Sequence, residues 1–271
     1  MPSVSVILST YNSPAWLEKV MWGYQEQKHK NFQLVIADDG SSYETRKLIE
    51  GFKKSSTLNI EHVWHEDNGC QKTIVLNKAT VLAGGDYLIY SDGDCIPRND
   101  FVHVHQQQAK RGYFLSGGHT KLPPCCSDNV GMDEIFSGRA FCIFWLTQNG
   151  YPDSAKKLRI TAKGGWAKML DKLMPSRDEW NGHNSSGWKS DLMIVNGFDE
   201  RIQHSGEDRE MGDRLIHSGI KVMGVRYTAV CVHLAAGPGA DTEVSRSTNK
   251  LIQEATMRDK SKYSTYGIIK S

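Results

Sequence analysis

Gly85-Asp-Tyr-Leu-Ile-Tyr-Ser-Asp-Gly-Asp94 is the stretch on which the fold turns. Asp86 to Tyr90 is short, apolar and aromatic, the character of a buried strand, and it stops at the polar cluster Ser91-Asp92-Gly93-Asp94. Three upstream segments read the same way. Val4 to Leu8 ends in Ser9-Thr10-Tyr11-Asn12, Phe32 to Ala37 ends in Asp38-Asp39-Gly40-Ser41-Ser42, and Ile60 to Trp64 completes the set. Helices are predicted between them. The first starts near Pro14, with Ser13 or Asn12 as its cap, and places Leu17, Val20, Met21 and Tyr24 on one face. The others run from about Tyr43 to Lys53 and from Ile74 to Leu82. Alternating strands and helices make a mostly parallel sheet with right-handed crossovers, and such sheets bind ligands beyond the carboxyl ends of their strands. The clusters at Ser9 to Asn12, Asp38 to Ser42 and Ser91 to Asp94 should therefore converge on one cleft.

The rest of the composition is consistent with a globular α/β protein. The 271 residues are 39% hydrophobic and 24% charged, with 33 basic and 31 acidic side chains. A near-neutral balance excludes a general nucleic-acid binder. The longest apolar run, Ala140 to Leu146, is far shorter than the roughly 20 residues of a membrane span. The first residues lack the order of a signal peptide, so a cytoplasmic protein is expected. Six cysteines without C-x-x-C spacing read as free thiols rather than a zinc site.

The second half is less regular. Phe114 to Gly118 reads as a strand, Pro123 to Asn129 as a loop, Glu207 to His217 as a helix with Met211, Leu215 and Ile216 inward, and Val222 to Val232 as β-structure ending at His233. Helix is expected again around Lys250 to Met257, after Gly237-Pro238-Gly239.

Asp92-Gly93-Asp94 carries the chemistry. Two carboxylates two residues apart on a tight turn can face one hard cation such as Mg²⁺ or Mn²⁺, with phosphate oxygens completing its shell. Gly93 lets the backbone approach closely.

Val4 to Asn12, Phe32 to Ser41 and Gly85 to Asp94, taken in order, resemble family 2 glycosyltransferases of the GT-A fold. Asn196-Gly-Phe-Asp-Glu200 and Gly206-Glu-Asp208 resemble the galactosyltransferase-type C-terminal part of that fold. The resemblance implies a Rossmann-like central sheet flanked by helices, with a C-terminal acceptor-binding part. It implies four regions: a nucleotide-sugar half at 1–118, a variable insert at 119–182, an acceptor and catalytic-base part at 183–236, and a helical tail at 237–271. It also implies roles. Asp39 would accept the N3–H of uracil, Tyr11 would flank the base and Ser9 the nucleoside. Lys72 would lie near the diphosphate, and Asp92 would face the ribose or the metal. Asp94 and His233 would bind Mn²⁺ or Mg²⁺, imidazole favouring Mn²⁺. Asp208 would be the catalytic base of an inverting transfer and Glu207 would hold the acceptor sugar. His183, Asn184 and Trp188 would line the acceptor side, Trp188 standing equally as a core residue. Each role has a plainer counterpart: a turn cap for Asp39, a solvated amine for Lys72, a favourable first helical turn for Glu207 and Asp208, and a structural imidazole for His233.

Residues 156–177 stand apart, with seven basic side chains and one acid, Asp171. Trp166, Leu170, Leu173 and Met174 share one helical face, the pattern of an amphipathic segment that lies on an anionic membrane surface or packs on its own protein. The function implied is a metal-dependent transfer from a UDP-sugar to a saccharide or lipid-linked saccharide, in surface polysaccharide or lipopolysaccharide synthesis, with no nucleic-acid partner. A place on the inner face of the plasma membrane is expected with it. Two alternatives are a sugar-phosphate nucleotidyltransferase, disfavoured because Ser9 to Asn12 holds no glycine, and a non-catalytic sugar-nucleotide or glycan-binding module.

Overall fold

A computed structural model of the chain describes residues 1–153, 156–174, 179–235 and 243–270. Its strands are β1 (Val4–Thr10), β2 (Gln33–Asp38), β3 (Asn59–Trp64), β4 (Tyr87–Asp92), β5 (Cys95–Pro97), β6 (Tyr113–Ser116), β7 (Gly118–Lys121), β8 (Ser185–Trp188), β9 (Lys221–Gly224) and β10 (Val230–His233). The helices of the first half are α1 (Pro14–Gln25), α2 (Tyr43–Ser55), α3 (Lys72–Leu82) and α4 (Phe101–Gln108). Five more follow: α5 (Pro124–Asn129), α6 (Met132–Phe136), α7 (Ile143–Gln148), α8 (Lys157–Thr161) and α9 (Gly164–Leu173). The last three are α10 (Lys189–Ile194), α11 (Glu207–His217) and α12 (Glu243–Arg258).

Seven strands form one sheet in the order β3-β2-β1-β4-β8-β6-β9. Only β8 runs against its two neighbours. Strands covered on both faces lose the simple inside–outside alternation and become continuously apolar, which is why β1, β2 and β4 are buried along nearly their whole length. Alternate side chains still serve different layers. Val6 and Leu8 pack with Leu17, Val20, Met21 and Tyr24 of α1 on one face. Ile7 packs with Val75 and Ala79 of α3 and with Met211 and Leu215 of α11 on the other. The predicted α1 face and the inward residues Met211 and Leu215 are thus where the periodicity put them.

A second sheet, β5-β10-β7, stands beside the end of β4. The expected strand at Phe114 to Gly118 is really two: β6 joins the large sheet and β7 the small one. The antiparallel register of β10 on β5 sets His233 opposite Cys95, and Leu234 N–H donates to Asp94 O at 2.8 Å. This small sheet is what brings a residue near position 233 to the turn at position 94.

Two expectations are corrected. Pro123 to Asn129 contains the helix α5, with Pro124 in its first turn. The basic segment is two helices, broken at Ala162 and Lys163, and its Arg177 lies outside the described residues. Its apolar face is divided: Leu170 is buried with Ala167 against Tyr227, while Trp166, Leu173 and Met174 are exposed. The stretch Asn196 to Glu200 secures the C-terminal tail. Asn196, in the left-handed conformation, donates through Nδ2 to Ser264 O and Ile269 O and accepts from Ile269 N–H. Ser264 Oγ donates to Asp199, and Phe198 packs edge-on against Tyr90.

Candidate active site

The three polar strand ends do converge. A cleft of about 740 Å³ is lined by Ser9, Thr10 and Tyr11 after β1, Asp39 after β2, and Asp92, Gly93 and Asp94 after β4. Gly69, Cys70, Lys72, His204 and Ser205 close the rest. Gly93 N–H donates to Ser9 O at 2.7 Å, and a β-carbon on Gly93 would stand 3.0 Å from that oxygen. The turn carrying both carboxylates can therefore lie this close to β1 only without a side chain there.

Asp39 is almost fully buried. His65 Nε2 lies 2.9 Å from its Oδ1, and Gln71 N–H donates to the carboxylate. Burial pushes its carboxyl above the ordinary range, with His65 and Gln71 pulling the other way. Tyr11 is half exposed and donates to Asp67 at 2.9 Å. Ser9 Oγ donates to Asp92 Oδ1 at 2.7 Å. Asp38 braces the turn below, accepting from Ser41 N–H.

Lys72 begins α3 and spans the cleft floor. Its Nζ is 3.0 Å from Glu207 Oε1 and 3.6 Å from Asp92 Oδ1. Burial works against its charge, but Glu207, Asp92 and Asp208 outweigh burial and hold the ammonium well above its ordinary range. Burial likewise opposes ionisation of Asp92, while Lys72 and the Ser9 hydroxyl keep its carboxyl below the usual range.

Asp94 Oδ2 and His233 Nε2 lie 3.5 Å apart. Asp94 Oδ1 and His233 Nδ1 are both buried with no hydrogen-bond partner. Buried polar atoms are otherwise nearly always paired, so two adjacent side chains that each keep an unpaired atom suit a divalent cation with mixed oxygen and nitrogen ligands. Cys95 Sγ lies close by, but burial and Cys231 push its thiol far up, so it stays protonated. Burial and the adjacent Asp92 raise Asp94, the field that a cation would relieve.

Asp208 sits in the first turn of α11. Gly182 N–H donates to its Oδ2 at 2.7 Å, and its Oδ1 is buried and unpaired. A β-carbon on Gly182 would come 2.7 Å from that Oδ2, so glycine is what admits the contact. Burial and the neighbouring Glu207 push the Asp208 carboxyl up to about 8, with Lys72 opposing. The turn before α11 is held from behind: Asn249 of α12 donates to Gln203 O and Ser205 O, and Gln253 donates to Gly206 O. A buried Arg214–Glu210 pair fastens α11 to Gly197 O, and Thr256 of α12 donates to Glu210.

Two expected acceptor residues lie elsewhere. Trp188 pairs in register with Tyr87, at the start of β4 and so at the opposite end of the sheet from the cleft. It is buried edge-on against Tyr87, with Arg111 stacked 3.5 Å over its ring. Asn184 is fully buried, donating to Gly118 O and Ala229 O while its Oδ1 faces His105 Nε2. Both are framework. Sequence reasoning gave His119 no role. It lies in β7, with Nδ1 2.9 Å from His183 Nε2 and its ring 5.1 Å from that of His233. Burial and the neighbouring imidazoles push His119 down to about 3, and burial pushes His183 to about 4, so both rings are neutral. Only the pairing of β7 with β10 reveals His119, because no spacing in the chain connects 119 to 233.

Comparison with known proteins agrees with this geometry. The profile of Glycosyl transferase family 2 matches residues 5–153. Hyaluronan synthase of Pasteurella multocida is 25% identical over 276 residues, covering 96% of this chain and 27% of its own length. The GalNAc(5)-diNAcBac-PP-undecaprenol β-1,3-glucosyltransferase of Campylobacter jejuni is 26% identical over 140 residues, 51% of this chain and 43% of its own. The chain thus spans between about a quarter and a half of these relatives. A mannosyltransferase of Pyrobaculum calidifontis, solved with GDP-Man and Mn²⁺, superposes with a TM-score of 0.60 at 16% identity, over 95% of this chain and 64% of that one. GalNAc-T7, solved with UDP, GalNAc and Mn²⁺, gives 0.63 at 13% identity, over 96% and 50%.

Proposed function

The chain belongs to glycosyl transferase family 2 and has the GT-A fold, and on that premise we propose an inverting, metal-dependent transfer of a sugar from a UDP-sugar to a saccharide acceptor. The observation that carries this reading is the pairing of two unsatisfied sets of atoms. Asp94 and His233, neighbours that each keep a buried unpaired atom, suit a cation, and Asp208 Oδ1 is free to take a proton.

In this reading Asp39, an acceptor-only carboxylate when ionised, takes the uracil N3–H, with Tyr11 and Ser9 around the nucleoside. Asp94 and His233 hold Mn²⁺ or Mg²⁺, with Asp92 beside them. The ion, when bound, would neutralise the diphosphate as it leaves. Lys72 adds a second positive charge at the same end of the cleft. The acceptor hydroxyl gives its proton to Asp208 Oδ1, its oxygen attacks the anomeric carbon, and the bond from that carbon to UDP breaks with the electron pair on the diphosphate. Gly182 N–H fixes the carboxylate so that one oxygen alone is free to act. A carboxyl raised to about 8 is a far stronger base than an ordinary aspartate, at the expense of being mostly protonated at neutral pH. Glu207, released from Lys72, holds the acceptor sugar.

We assign nucleotide-sugar binding to 1–118 and the acceptor and base functions to 183–236, with 119–182 a variable insert and 237–271 a C-terminal tail whose described helix is α12. The acceptor is a saccharide, free or lipid-linked, in surface polysaccharide or lipopolysaccharide synthesis. The Campylobacter relative is itself named for a PP-undecaprenol acceptor. No described helix is long and apolar enough to cross a membrane. Peripheral association through 156–177 fits the exposed Trp166, Met169 and Leu173 of α9, which flank Lys168 and Lys172. A panel of UDP-sugars assayed for Mn²⁺-dependent UDP release tests the reading. Release with at least one donor, lost in Asp94→Asn and Asp208→Asn, is expected. Undiminished release in both variants would remove the assignment, and activity with non-UDP donors alone would remove the role of Asp39.

A further inference from the structure

Two arginines meet at Gly118, outside the cleft just described. Arg159 comes from α8 and Arg226 from the loop after β9, and both are half-buried. A β-carbon on Gly118 would stand 2.9 Å from Arg226 Cγ and 3.6 Å from Arg159 Nη1, so the stem of Arg226 and the guanidinium of Arg159 pass beside the same glycine. Arg159 Nη1 donates to His119 O at 2.8 Å, which sets the pair against the histidines beside Asp94. Among the described residues, neither arginine has a carboxylate within ion-pair distance. Asp171, on α9, already accepts from Tyr227 N–H, Thr228 N–H and Thr228 Oγ. Burial and the repulsion of Arg226 both act against the charge on Arg159. Two arginines that repel each other have near them one carboxylate, Asp171, whose oxygens already accept from Tyr227 and Thr228; the excess positive charge beside His119 suits an anion with several oxygens.

We propose that Arg159 and Arg226 form a phosphate-binding subsite on the acceptor side. This rests on the transferase reading above and names the acceptor class: a saccharide carrying a phosphate or diphosphate. The donor's own diphosphate is a poor candidate, because neither arginine lines the cleft and both sit on the β7 side of His119. The chain path supports the same assignment. Helix α8 runs directly into α9, whose Trp166, Met169 and Leu173 are exposed beside lysines. An acceptor joined to a lipid through phosphate has its negative charge between sugar and lipid, and the arginine pair lies between the metal-side histidines and α9.

The test is calorimetric titration of the full chain with inorganic pyrophosphate in EDTA-containing buffer. Arg159→Gln and Arg226→Gln are each expected to weaken binding by about tenfold or more, the loss of a two-pronged charged contact. Lys110→Gln, a remote exposed lysine, controls for net charge and should shift affinity by no more than about twofold, whereas Lys72→Met reports any pyrophosphate held on the donor side. Arg226 makes no hydrogen bond among the described residues, so its variants carry little folding risk. Arg226→Lys keeps the charge without the fork and should fall between wild type and Arg226→Gln. No binding by wild type, equal binding by the arginine variants, or loss in Lys72→Met alone would overturn the subsite. Arginine-dependent binding in protein that cleaves no nucleotide sugar would keep the subsite and remove the transferase reading.

Discussion

Asp208→Asn should abolish turnover and at the same time stabilise the free protein. The Asp208 carboxyl is raised from 3.8 to about 8 by burial and by Glu207. A group raised in the folded state binds more protons folded than unfolded between those two values. Its contribution is therefore fully favourable below about pH 4 and is lost as pH climbs through 8. Four units at about 1.4 kcal/mol each set an upper bound of about 5 kcal/mol at pH 8. Sharing of charge with Glu207 and Lys72, and partial solvent contact, leave on the order of 1–3 kcal/mol. Asparagine removes the charge and keeps an oxygen for Gly182 N–H. In metal-free buffer at pH 8 the variant should melt roughly 3–10 °C above wild type. Near pH 4 the two should melt together. Activity should fall by about 10²–10⁴ at every pH, whereas wild-type kcat rises with pH through the titration of this group. Equal or lower stability of the variant at pH 8 would refute the claim that burial tunes Asp208.

The other predictions address separate parts of the molecule. Asp94→Asn and His233→Ala should each weaken Mn²⁺ binding by about 10-fold or more in calorimetry, with proportional loss of UDP release. Trp188→Ala should cost about 3–4 kcal/mol in denaturant unfolding and leave the KM for acceptor unchanged, since the ring lies at the far end of the sheet. Asn196→Ala strips three side-chain hydrogen bonds to the C-terminal tail, so residues 264–270 should become sensitive to protease at lower denaturant than in wild type. Met169→Asp combined with Leu173→Asp should abolish flotation with vesicles containing anionic lipid, with the melting temperature preserved because both side chains face solvent.

Strands β1, β2 and β4 of the large sheet were legible because each is a short, nearly continuous apolar run ended by polar residues. The second half resisted the same reading where local signals were weak. Pro124 at a helix start looks like a loop in a polar stretch, and a four-residue strand such as β7 has too few residues for a period to show. The basic segment was legible as amphipathic, but not which part of its apolar face would meet Tyr227 and which would face solvent.

Local chemistry along the chain determined the strand–helix alternation, the convergence of Ser9, Asp39, Asp92 and Asp94, and the carboxylate pair suited to a cation. All of these depend on residues within one strand and the turn that ends it. Only the tertiary structure decided the rest. It set Asp94 against His233 and His119 through the pairing of β10 with β5 and β7. It joined Lys72 to Glu207 across the cleft, left one oxygen of Asp208 free beside Gly182, and moved Trp188 and Asn184 into the framework. Such pairings are contacts between residues far apart in the chain, selected by strand register and burial, and no spacing along the chain encodes them.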